Sequence, residues 1–435
     1  MNYNEYIEFD NLLPNIKVDT IFDETTLKGI EKYYDTITEL YKNTPRVIEN
    51  INTEDSSHCE VLCKITSYCN QNCAYCFDVN NNHAKHNTLT KDQIIKLFDL
   101  LSDKHQNISW VWHGGECLSV DIDWFDDVML SLQKIAYTKR TDVLFTIQTN
   151  FTLINDKWIK LLDKYNISIG ISYDWTAQKI RGYDLTNEKK KMFNYSICVI
   201  TKHNINDLIK IYEQNIAENK SCISYNFIFA NKGKSPDYYL DIDDAIIKFK
   251  DFINFYLYSQ SNVMERTTLS LIQLALNKNY SVCNLSNCIE TNRVCINSDG
   301  TLWICDNTNF KELYICDLAD ISSIDEFYKH PNRLNIKKIR ELQTKPECKN
   351  CNLKEICEKG CIHCTLFESN GKEPYSMYCE FLKQLIPYLY EKLGNLTPED
   401  FMVLNPTVKK TLIEDMYLPA YKKEELKDYY ENHNI

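Results

Sequence analysis

Short runs rich in β-branched and aromatic residues alternate with helical periodicity from about residue 60 onward. Apolar residues recur at helical spacing between the runs, as in residues 90–104 and 155–165. Six runs are predicted as strands: VLCKIT (61–66), ISWVWH (108–113), VLFTIQT (143–149), ISIGIS (167–172), YSICVI (195–200) and ISYNFIF (223–229). Strands joined by crossover helices lie parallel, so we predict an α/β fold, a partial (β/α)6 TIM-like barrel. Chemistry is expected at the carboxyl ends of its strands.

The pattern changes after about residue 280, where cysteines become dense and the predicted elements become short. Residues 293–306 (RVCINSDGTLWICD) predict a β-hairpin, because Asp-Gly separates two β-rich runs. Helices are predicted over 23–43 and 381–393, the second followed by a polar helical tail. We therefore divide the chain into an N-terminal extension (1–58), the barrel (59–280), a cysteine-rich domain (281–385) and a helical tail (386–435).

The composition narrows the class of protein. Of 435 residues, 44% are hydrophobic and 25% are charged, which is typical of globular proteins and excludes a disordered or collagen-like chain. A net charge of −12 argues against nucleic-acid or anionic-membrane binding. The N-terminus lacks the pattern of a signal peptide, and no run approaches the roughly 18 apolar residues of a membrane helix. In a chain predicted to be cytoplasmic, 19 cysteines indicate metal sites or catalysis.

Three cysteines follow the first predicted strand in the segment CNQNCAYC. Cys69, Cys73 and Cys76 have the spacing Cys-x3-Cys-x2-Cys. Three thiolates can hold three irons of a cubane [4Fe–4S] cluster and leave the fourth iron open to a substrate or cosubstrate. A zinc knuckle and chance clustering are the alternatives. The spacing and the position at a strand end favour iron–sulfur.

Polar motifs end the next three predicted strands. In WHGGE, Gly114 and Gly115 would let the backbone approach a ligand, and the carboxylate of Glu116 could pair with an ammonium. An ordinary turn is the alternative reading. QTN (148–150) and SYD (172–174) end the third and fourth strands.

A second cysteine set has a more specific spacing. Eleven residues separate Cys288 from Gly300, and four more precede Cys305. The remaining members follow the pattern Cys-x2-Cys-x5-Cys-x3-Cys and then a last cysteine: Cys348, Cys351, Cys357, Cys361 and Cys379. So many fixed spacings argue against chance, and two structural zinc sites are the alternative.

Together these motifs resemble the radical S-adenosylmethionine enzymes, whose signature is Cys-x3-Cys-x2-Cys with an aromatic residue before the last cysteine. The resemblance implies that the open iron binds the amine and carboxylate of S-adenosyl-L-methionine, and that one-electron reduction yields a 5′-deoxyadenosyl radical. It implies that the GGE motif binds the amino group, Ser172 lies near the ribose, and the adenine lies against residues 226–231. The residues implied to contact the cosubstrate are Tyr75, Gly114, Gly115, Glu116, Asn150, Ser172 and Arg181.

The second set is similar to the SPASM extension of that family, which implies two auxiliary [4Fe–4S] clusters and three clusters in all. The ligands implied for the first auxiliary cluster are Cys283, Cys288, Cys305 and Cys361. Those implied for the second are Cys348, Cys351, Cys357 and Cys379. Cys295 and Cys364 compete for places, although Cys295 is preferred as a packing residue. Packing is also predicted for Cys63, Cys198 and Cys222 on strands, and preferred over reactivity for Cys117.

Within the family, the chain looks most like the anaerobic sulfatase maturases and their peptide-modifying relatives, over roughly residues 60–390. In that branch an aspartate after the Gly-x4-Cys cysteine takes a proton from the substrate, which implies a catalytic role for Asp306; a turn cap is the alternative. The preferred function is maturation of a ribosomally made peptide, forming a crosslink or an oxidised residue while the auxiliary clusters accept an electron. The alternatives are formylglycine formation on a sulfatase and a non-catalytic iron–sulfur carrier or sensor.

The resemblance also implies the partners. They are a precursor peptide or protein substrate and a reductant such as flavodoxin or ferredoxin. Because residues 1–58 lack several clear strands, we also consider a separate leader-binding protein. Neither a nucleic acid nor a membrane is expected as a partner.

Overall fold

The computed structural model describes residues 57–76, 78, 86–229, 236–276, 288, 291–306, 313–342, 346–351, 353, 357, 361–362 and 377–414. The helix predicted over 23–43, the predicted ligand Cys283 and the competing cysteine Cys364 lie outside these residues. Among the helices in the described ranges, none is long and apolar enough to cross a membrane.

The strands form one sheet. They are β1 (His58–Thr66), β2 (Asn107–Gly114), β3 (Asp142–Thr149), β4 (Ser168–Ser172), β5 (Tyr195–Ile200), β6 (Cys222–Phe227), β7 (Met264–Glu265), β8 (Arg293–Ile296), β9 (Thr301–Trp303) and β10 (Tyr314–Asp317). The ten strands lie in the order β10-β9-β8-β1-β2-β3-β4-β5-β6-β7. Neighbours from β1 to β7 are parallel, which confirms the six predicted strands and the α/β class. The two-residue β7 was too short for a pattern to predict.

Helices connect the parallel strands. They are α1 (Lys91–Ser102), α2 (Ile122–Lys139), α3 (Asp156–Lys164), α4 (Asn187–Lys191), α5 (Leu208–Ala217), α6 (Ile242–Tyr258) and α7 (Arg266–Ala275). Helix α1 begins after a capping box at Thr90, and its apolar residues recur at intervals of three and four. Short 3₁₀ turns span Cys117–Ser119, Trp175–Arg181, Ile205–Asp207, Pro236–Tyr238, Leu318–Asp320 and Pro346–Asn350.

The two faces of the sheet differ. Trp110 and Trp112 of β2 are fully buried and pack edge-on against Phe98 of α1 and Phe125 of α2. Successive side chains of a strand point to opposite faces. The residue that follows Trp112 therefore lies on the face of the sheet away from these helices, which is the inner face. Lys64 of β1 is its partner in register and lies on the same inner face. The helix-covered face is therefore apolar, and the inner face carries polar groups near the strand ends.

The predicted hairpin is confirmed, since β8 and β9 pair antiparallel and Gly300 has a φ of +86°. Strand β8 also pairs in parallel with β1, so the hairpin and β10 extend the barrel sheet. The sheet therefore runs without interruption across the boundary placed near residue 281. Strand β1 would otherwise leave its backbone groups unpaired on the side away from β2, and β8 satisfies them.

The remaining helices lie in the C-terminal part of the chain. They are α8 (Ile324–Tyr328), α9 (Pro331–Leu342), α10 (Met377–Gly394), α11 (Pro398–Val403) and α12 (Pro406–Glu414). Helix α10 confirms the helix predicted over 381–393. Its Phe381 contacts the rings of Phe227 and Phe249, and the Tyr378 hydroxyl donates a hydrogen bond of 2.6 Å to the Phe227 carbonyl. Helix α10 thus covers the carboxyl end of β6.

Candidate active site

The three-cysteine loop directly follows β1. Cys73 is buried, and Cys69 and Cys76 are partly exposed. A hydrogen bond of 3.0 Å from the Cys76 amide to the Cys73 carbonyl closes the turn between the last two cysteines. Burial is the main cause that raises the pKa of Cys69 to about 12 and that of Cys73 to about 11, and the neighbouring thiols add to it. The loop therefore collects three thiols that influence one another electrostatically.

In the part of the chain that the structure describes, no group of three or more His, Cys, Asp or Glu side chains is arranged to hold a metal ion. A cubane cluster makes a different demand, because each thiolate binds a different iron and the ligands stand further apart than those of one ion. Three cysteine thiols on one short loop have the number and the soft donor chemistry that an iron–sulfur cluster requires. The number and type of donor atoms on the loop therefore fit an iron–sulfur cluster.

The GGE turn packs directly on this loop. The Gly115 amide donates to the Thr66 carbonyl at 2.8 Å, and the Glu116 amide donates to the Tyr68 carbonyl at 2.7 Å. A Cβ atom on Gly114 would lie 2.4 Å from the Thr66 oxygen, and one on Gly115 would lie 2.0 Å from the Tyr68 oxygen. Glycine is needed because two backbones meet here. The sequence predicted that these glycines let the backbone approach a ligand. In the structure, they let it approach the segment that leads into the cysteine loop.

The Glu116 carboxylate is fully buried. It accepts hydrogen bonds from the Leu118 amide at 3.0 Å, the Thr149 hydroxyl at 2.5 Å and the Asn150 amide at 2.8 Å. Burial raises the pKa of Glu116, and these three hydrogen bonds oppose the rise. All three donors are neutral, and a carboxylate can accept about four hydrogen bonds. The site therefore combines a buried carboxylate with capacity for one more donor, which suits a cation.

The ends of β3 and β4 carry the other two predicted motifs. The Asn150 side-chain amide donates to the side-chain Oδ1 of Asn70 at 2.9 Å, which joins QTN to the cysteine loop. The Gln148 side-chain amide donates to the Ser172 hydroxyl at 2.7 Å, which joins QTN to SYD. The structure thus brings Asn150 and Ser172 to the same end of the sheet as Glu116. Asn226, in the proposed adenine wall, is exposed, and the wall beyond residue 229 is outside the described residues.

Arg181 belongs to a buried group with Tyr75 and Asp174. Its guanidinium binds the Asp174 carboxylate through two hydrogen bonds of 2.8 and 3.0 Å and lies 5.4 Å from the centre of the Tyr75 ring. The Tyr75 hydroxyl donates to the same carboxylate. Burial opposes the charge on Arg181, but Asp174 outweighs it and raises the pKa of Arg181. Arg181 thus supports the cysteine loop through Tyr75, and its contact with a cosubstrate remains a prediction.

Lys64 is a site residue that the sequence analysis missed. This β1 lysine is buried, and its ammonium donates to the Asp78 carboxylate at 2.8 Å and to the Asp306 carbonyl at 3.1 Å. Burial opposes the charge on Lys64, and Asp78 outweighs it and raises the pKa of the lysine. The available signal was a lysine in the middle of an otherwise apolar strand, VLCKIT.

Asp306 lies close to this ammonium, at the start of the second cysteine region. The Cys305 thiol donates to the Asp306 carboxylate at 3.3 Å, and both residues are partly exposed. Cys288 is buried, and an Arg293 nitrogen donates to its sulfur at 2.7 Å. Cys288 thus lies at the amino end of β8, and Cys305 directly precedes the residue whose carbonyl accepts from Lys64.

The other predicted ligands are less buried as a group. Cys361 is buried, and Cys348, Cys351, Cys357 and Cys379 are partly exposed. The thiols of Cys379 and Cys351 both lie close enough to Lys383 to raise its pKa, after the larger effect of Glu380. Two members of the second auxiliary set therefore lie around one lysine.

The cysteines predicted to pack in the core do so. Cys63, Cys198 and Cys222 are buried on strands, and Cys295 is fully buried on β8. Cys117 is also fully buried, and burial raises the pKa of its thiol well above the ordinary value, so it packs rather than reacts.

Comparisons with known proteins agree with this geometry. Residues 63–213 match the family model described as Radical SAM superfamily. The cysteine-type anaerobic sulfatase-maturating enzyme of Clostridium perfringens is 23% identical over 360 residues, which cover 76% of this chain and 96% of the relative. The radical SAM cyclopropyl synthase TigE of Paramaledivibacter caminithermalis is 22% identical over 431 residues, covering 91% of this chain and 86% of the relative. A solved structure of native anSMEcpe with bound AdoMet has a TM-score of 0.66 at 21% identity, over 78% of this chain and 98% of that chain, and shows the same fold.

Proposed function

Because residues 63–213 form a radical SAM domain, we propose that this enzyme uses S-adenosyl-L-methionine and a [4Fe–4S] cluster to abstract hydrogen from a residue of a ribosomally made peptide. The observation that carries the proposal is the three-cysteine loop at the end of β1, whose Tyr68 carbonyl accepts from the amide of Glu116, a residue with a buried carboxylate. When bound, the cluster and its cosubstrate supply a 5′-deoxyadenosyl radical.

The side chains at the strand ends are proposed to bind different groups, some the cluster and others the cosubstrate. Cys69, Cys73 and Cys76 would hold the cluster, and Glu116 would bind the cosubstrate ammonium through a charge-assisted hydrogen bond. Gly114 and Gly115 let the carboxylate and the loop lie side by side. The residues proposed to complete the cosubstrate pocket are Tyr75, Asn150, Ser172 and Arg181.

The C-terminal cysteines are proposed to hold two auxiliary [4Fe–4S] clusters. Cys283, Cys288, Cys305 and Cys361 would hold the first of them. Cys348, Cys351, Cys357 and Cys379 would hold the second. Their role would be to accept the electron that the substrate loses, and Asp306 would take its proton, because this carboxylate lies beside the ligand Cys305. A flavodoxin or ferredoxin is proposed as the reductant of the first cluster.

Two substrate classes have support. The similarity to a radical SAM cyclopropyl synthase extends over 91% of this chain and supports a maturase that forms a new bond. The similarity to sulfatase-maturating enzymes covers 76% of the chain and supports formylglycine formation equally well. The proposed hydrogen abstraction is common to both, and the substrate distinguishes them.

The test offers both kinds of peptide to the reduced, iron-loaded enzyme with S-adenosyl-L-methionine, under anaerobic conditions. A precursor peptide that loses hydrogen without gaining an aldehyde supports the peptide maturase. An aldehyde on a sulfatase peptide, trapped with a hydrazine and found by mass spectrometry, supports the sulfatase maturase. Absence of 5′-deoxyadenosine in both reactions would contradict the proposal and favour an electron carrier or sensor.

A further inference from the structure

One buried ammonium connects three parts of the chain. The Lys64 side chain is 3% exposed, and the Asp78 side chain that pairs with it is 17% exposed. Asp78 follows the three-cysteine loop, and the Asp306 carbonyl that also accepts from Lys64 follows Cys305. Lys64 thus joins β1 to both cysteine regions at a single atom.

A lysine in this position needs a reason, because a buried ammonium is costly unless it is paired and hydrogen-bonded. Strand β1 is otherwise apolar at its centre, and Cys63 and Ile65 on either side of the lysine are fully buried. The charged and titratable groups around Lys64 are Asp78, Asp306 and the thiol of Cys295, with His113 beside it in register on β2. Its two carboxylate neighbours, Asp78 and Asp306, therefore belong to the cysteine regions and not to the apolar core.

The contact with Asp306 is made to its backbone, which controls where the side chain lies. Strand β9 ends at Trp303, so the segment leaves the sheet only a few residues before the carbonyl that Lys64 holds. The carboxylate of the same residue lies 3.3 Å from the Cys305 sulfur. With the carbonyl fixed by Lys64, the direction of the carboxylate is set relative to the end of β1.

We propose that Lys64 is the positioning residue for Asp306, holding its main chain so that the carboxylate faces the place where the substrate loses its hydrogen. This rests on the proposed function, in which Asp306 takes the substrate's proton after hydrogen abstraction. Lys64 acts through Asp306, whose carbonyl accepts the hydrogen bond from the lysine ammonium.

The experiment compares Lys64→Met with a matched control, Lys220→Met, in the iron-loaded enzyme. Lys220 is also buried, and its ammonium donates to the Phe193 carbonyl at 3.0 Å, away from the cysteine regions. The measured quantities are modified peptide per 5′-deoxyadenosine, iron content and the electron paramagnetic resonance spectrum of the reduced clusters. Lys64→Met should lower the ratio about tenfold or more with iron unchanged, as expected when a reacting group is misplaced. Lys64→Arg should restore part of the ratio, and Lys220→Met should leave it unchanged.

A double variant separates positioning from general support. If Lys64 acts through Asp306, adding Lys64→Met to Asp306→Asn should lower the ratio no further than Asp306→Asn alone. Multiplied effects would overturn the proposal, as would a Lys64→Met variant that loses iron and 5′-deoxyadenosine in step with product. If Lys64→Met keeps the wild-type ratio while Asp306→Asn lowers it, the positioning role of Lys64 is overturned and the role of Asp306 stands. A wild-type ratio in Asp306→Asn itself contradicts the proposed base.

Discussion

Replacing Glu116 with glutamine removes the charge of the buried carboxylate and keeps its shape. One carboxylate oxygen accepts from Leu118 and Thr149, and the other accepts from the Asn150 amide. In the least costly arrangement, the glutamine oxygen keeps the first two bonds and its amide faces the Asn150 N–H, which loses its acceptor. An unsatisfied buried donor costs about 1–3 kcal/mol in the free energy of unfolding.

The same substitution should weaken S-adenosyl-L-methionine binding. A hydrogen bond between a carboxylate and an ammonium contributes about 1.5–3 kcal/mol, which corresponds to roughly ten- to a hundredfold in the dissociation constant. Iron content should not change, because Glu116 ligates no iron. A matched control is Glu265→Gln, since Glu265 is also fully buried and accepts from the amides of Tyr225, Thr267 and Thr268. It lies on β7 beside the first half of β6, away from the carboxyl ends of the strands.

The assay combines chemical denaturation, iron analysis and calorimetric titration with S-adenosyl-L-methionine. Both variants should lose similar stability, and Glu116→Gln alone should lose affinity. If Glu116→Gln binds the cosubstrate as tightly as wild type at equal iron content, the GGE motif is only a turn and the reasoning fails. An equal loss of affinity in Glu265→Gln would also refute it, because the effect would then follow stability and not the charge.

Three further predictions concern the clusters, the base and the pH dependence. The reconstituted enzyme should hold about twelve irons in three cubanes, and replacing Cys69, Cys73 and Cys76 with alanine should remove about four and abolish cosubstrate cleavage; about four irons plus bound zinc in wild type would contradict the auxiliary clusters. Asp306→Asn should lower modified peptide by about 10²-fold or more while 5′-deoxyadenosine still forms, measured by mass spectrometry of both products; a wild-type rate would make Asp306 structural. Because burial raises the pKa of Glu116, cosubstrate affinity should fall as the pH falls through that pKa, and Glu116→Gln should lose this dependence in the same titration; a pH-independent wild type would count against the ammonium contact.

The sequence predicted those parts of the fold that local pattern controls. Six strands, the Asp-Gly hairpin and helix α10 were found where periodicity and turn residues placed them. It did not predict that β8 would pair with β1, because this pairing joins residues 60–63 to 293–296 and depends on an open sheet edge. A continuous sheet therefore crosses the boundary near residue 281, where the cysteines become dense and the predicted elements become short.

At the site, the sequence predicted positions better than contacts. Gly114 and Gly115 were predicted to allow a close backbone approach to a ligand, whereas their close neighbours are backbone atoms at and just after the end of β1, which only the tertiary structure brings there. Arg181 returns to Asp174 through the 3₁₀ turn Trp175–Arg181, a geometry that spacing alone does not indicate. Lys64 was missed because its partners, Asp78 and Asp306, come together only when the segment after β9 reaches past β8 to β1.

The most direct test of hydrogen abstraction follows an isotope from the peptide to the cosubstrate. A precursor peptide whose carbon-bound hydrogens are deuterium is incubated with the reduced, iron-loaded enzyme and S-adenosyl-L-methionine, and the 5′-deoxyadenosine is analysed by mass spectrometry. The account predicts deuterium in the 5′-deoxyadenosine in step with peptide modification. Modified peptide with 5′-deoxyadenosine free of deuterium, or no 5′-deoxyadenosine from fully iron-loaded enzyme, would contradict it.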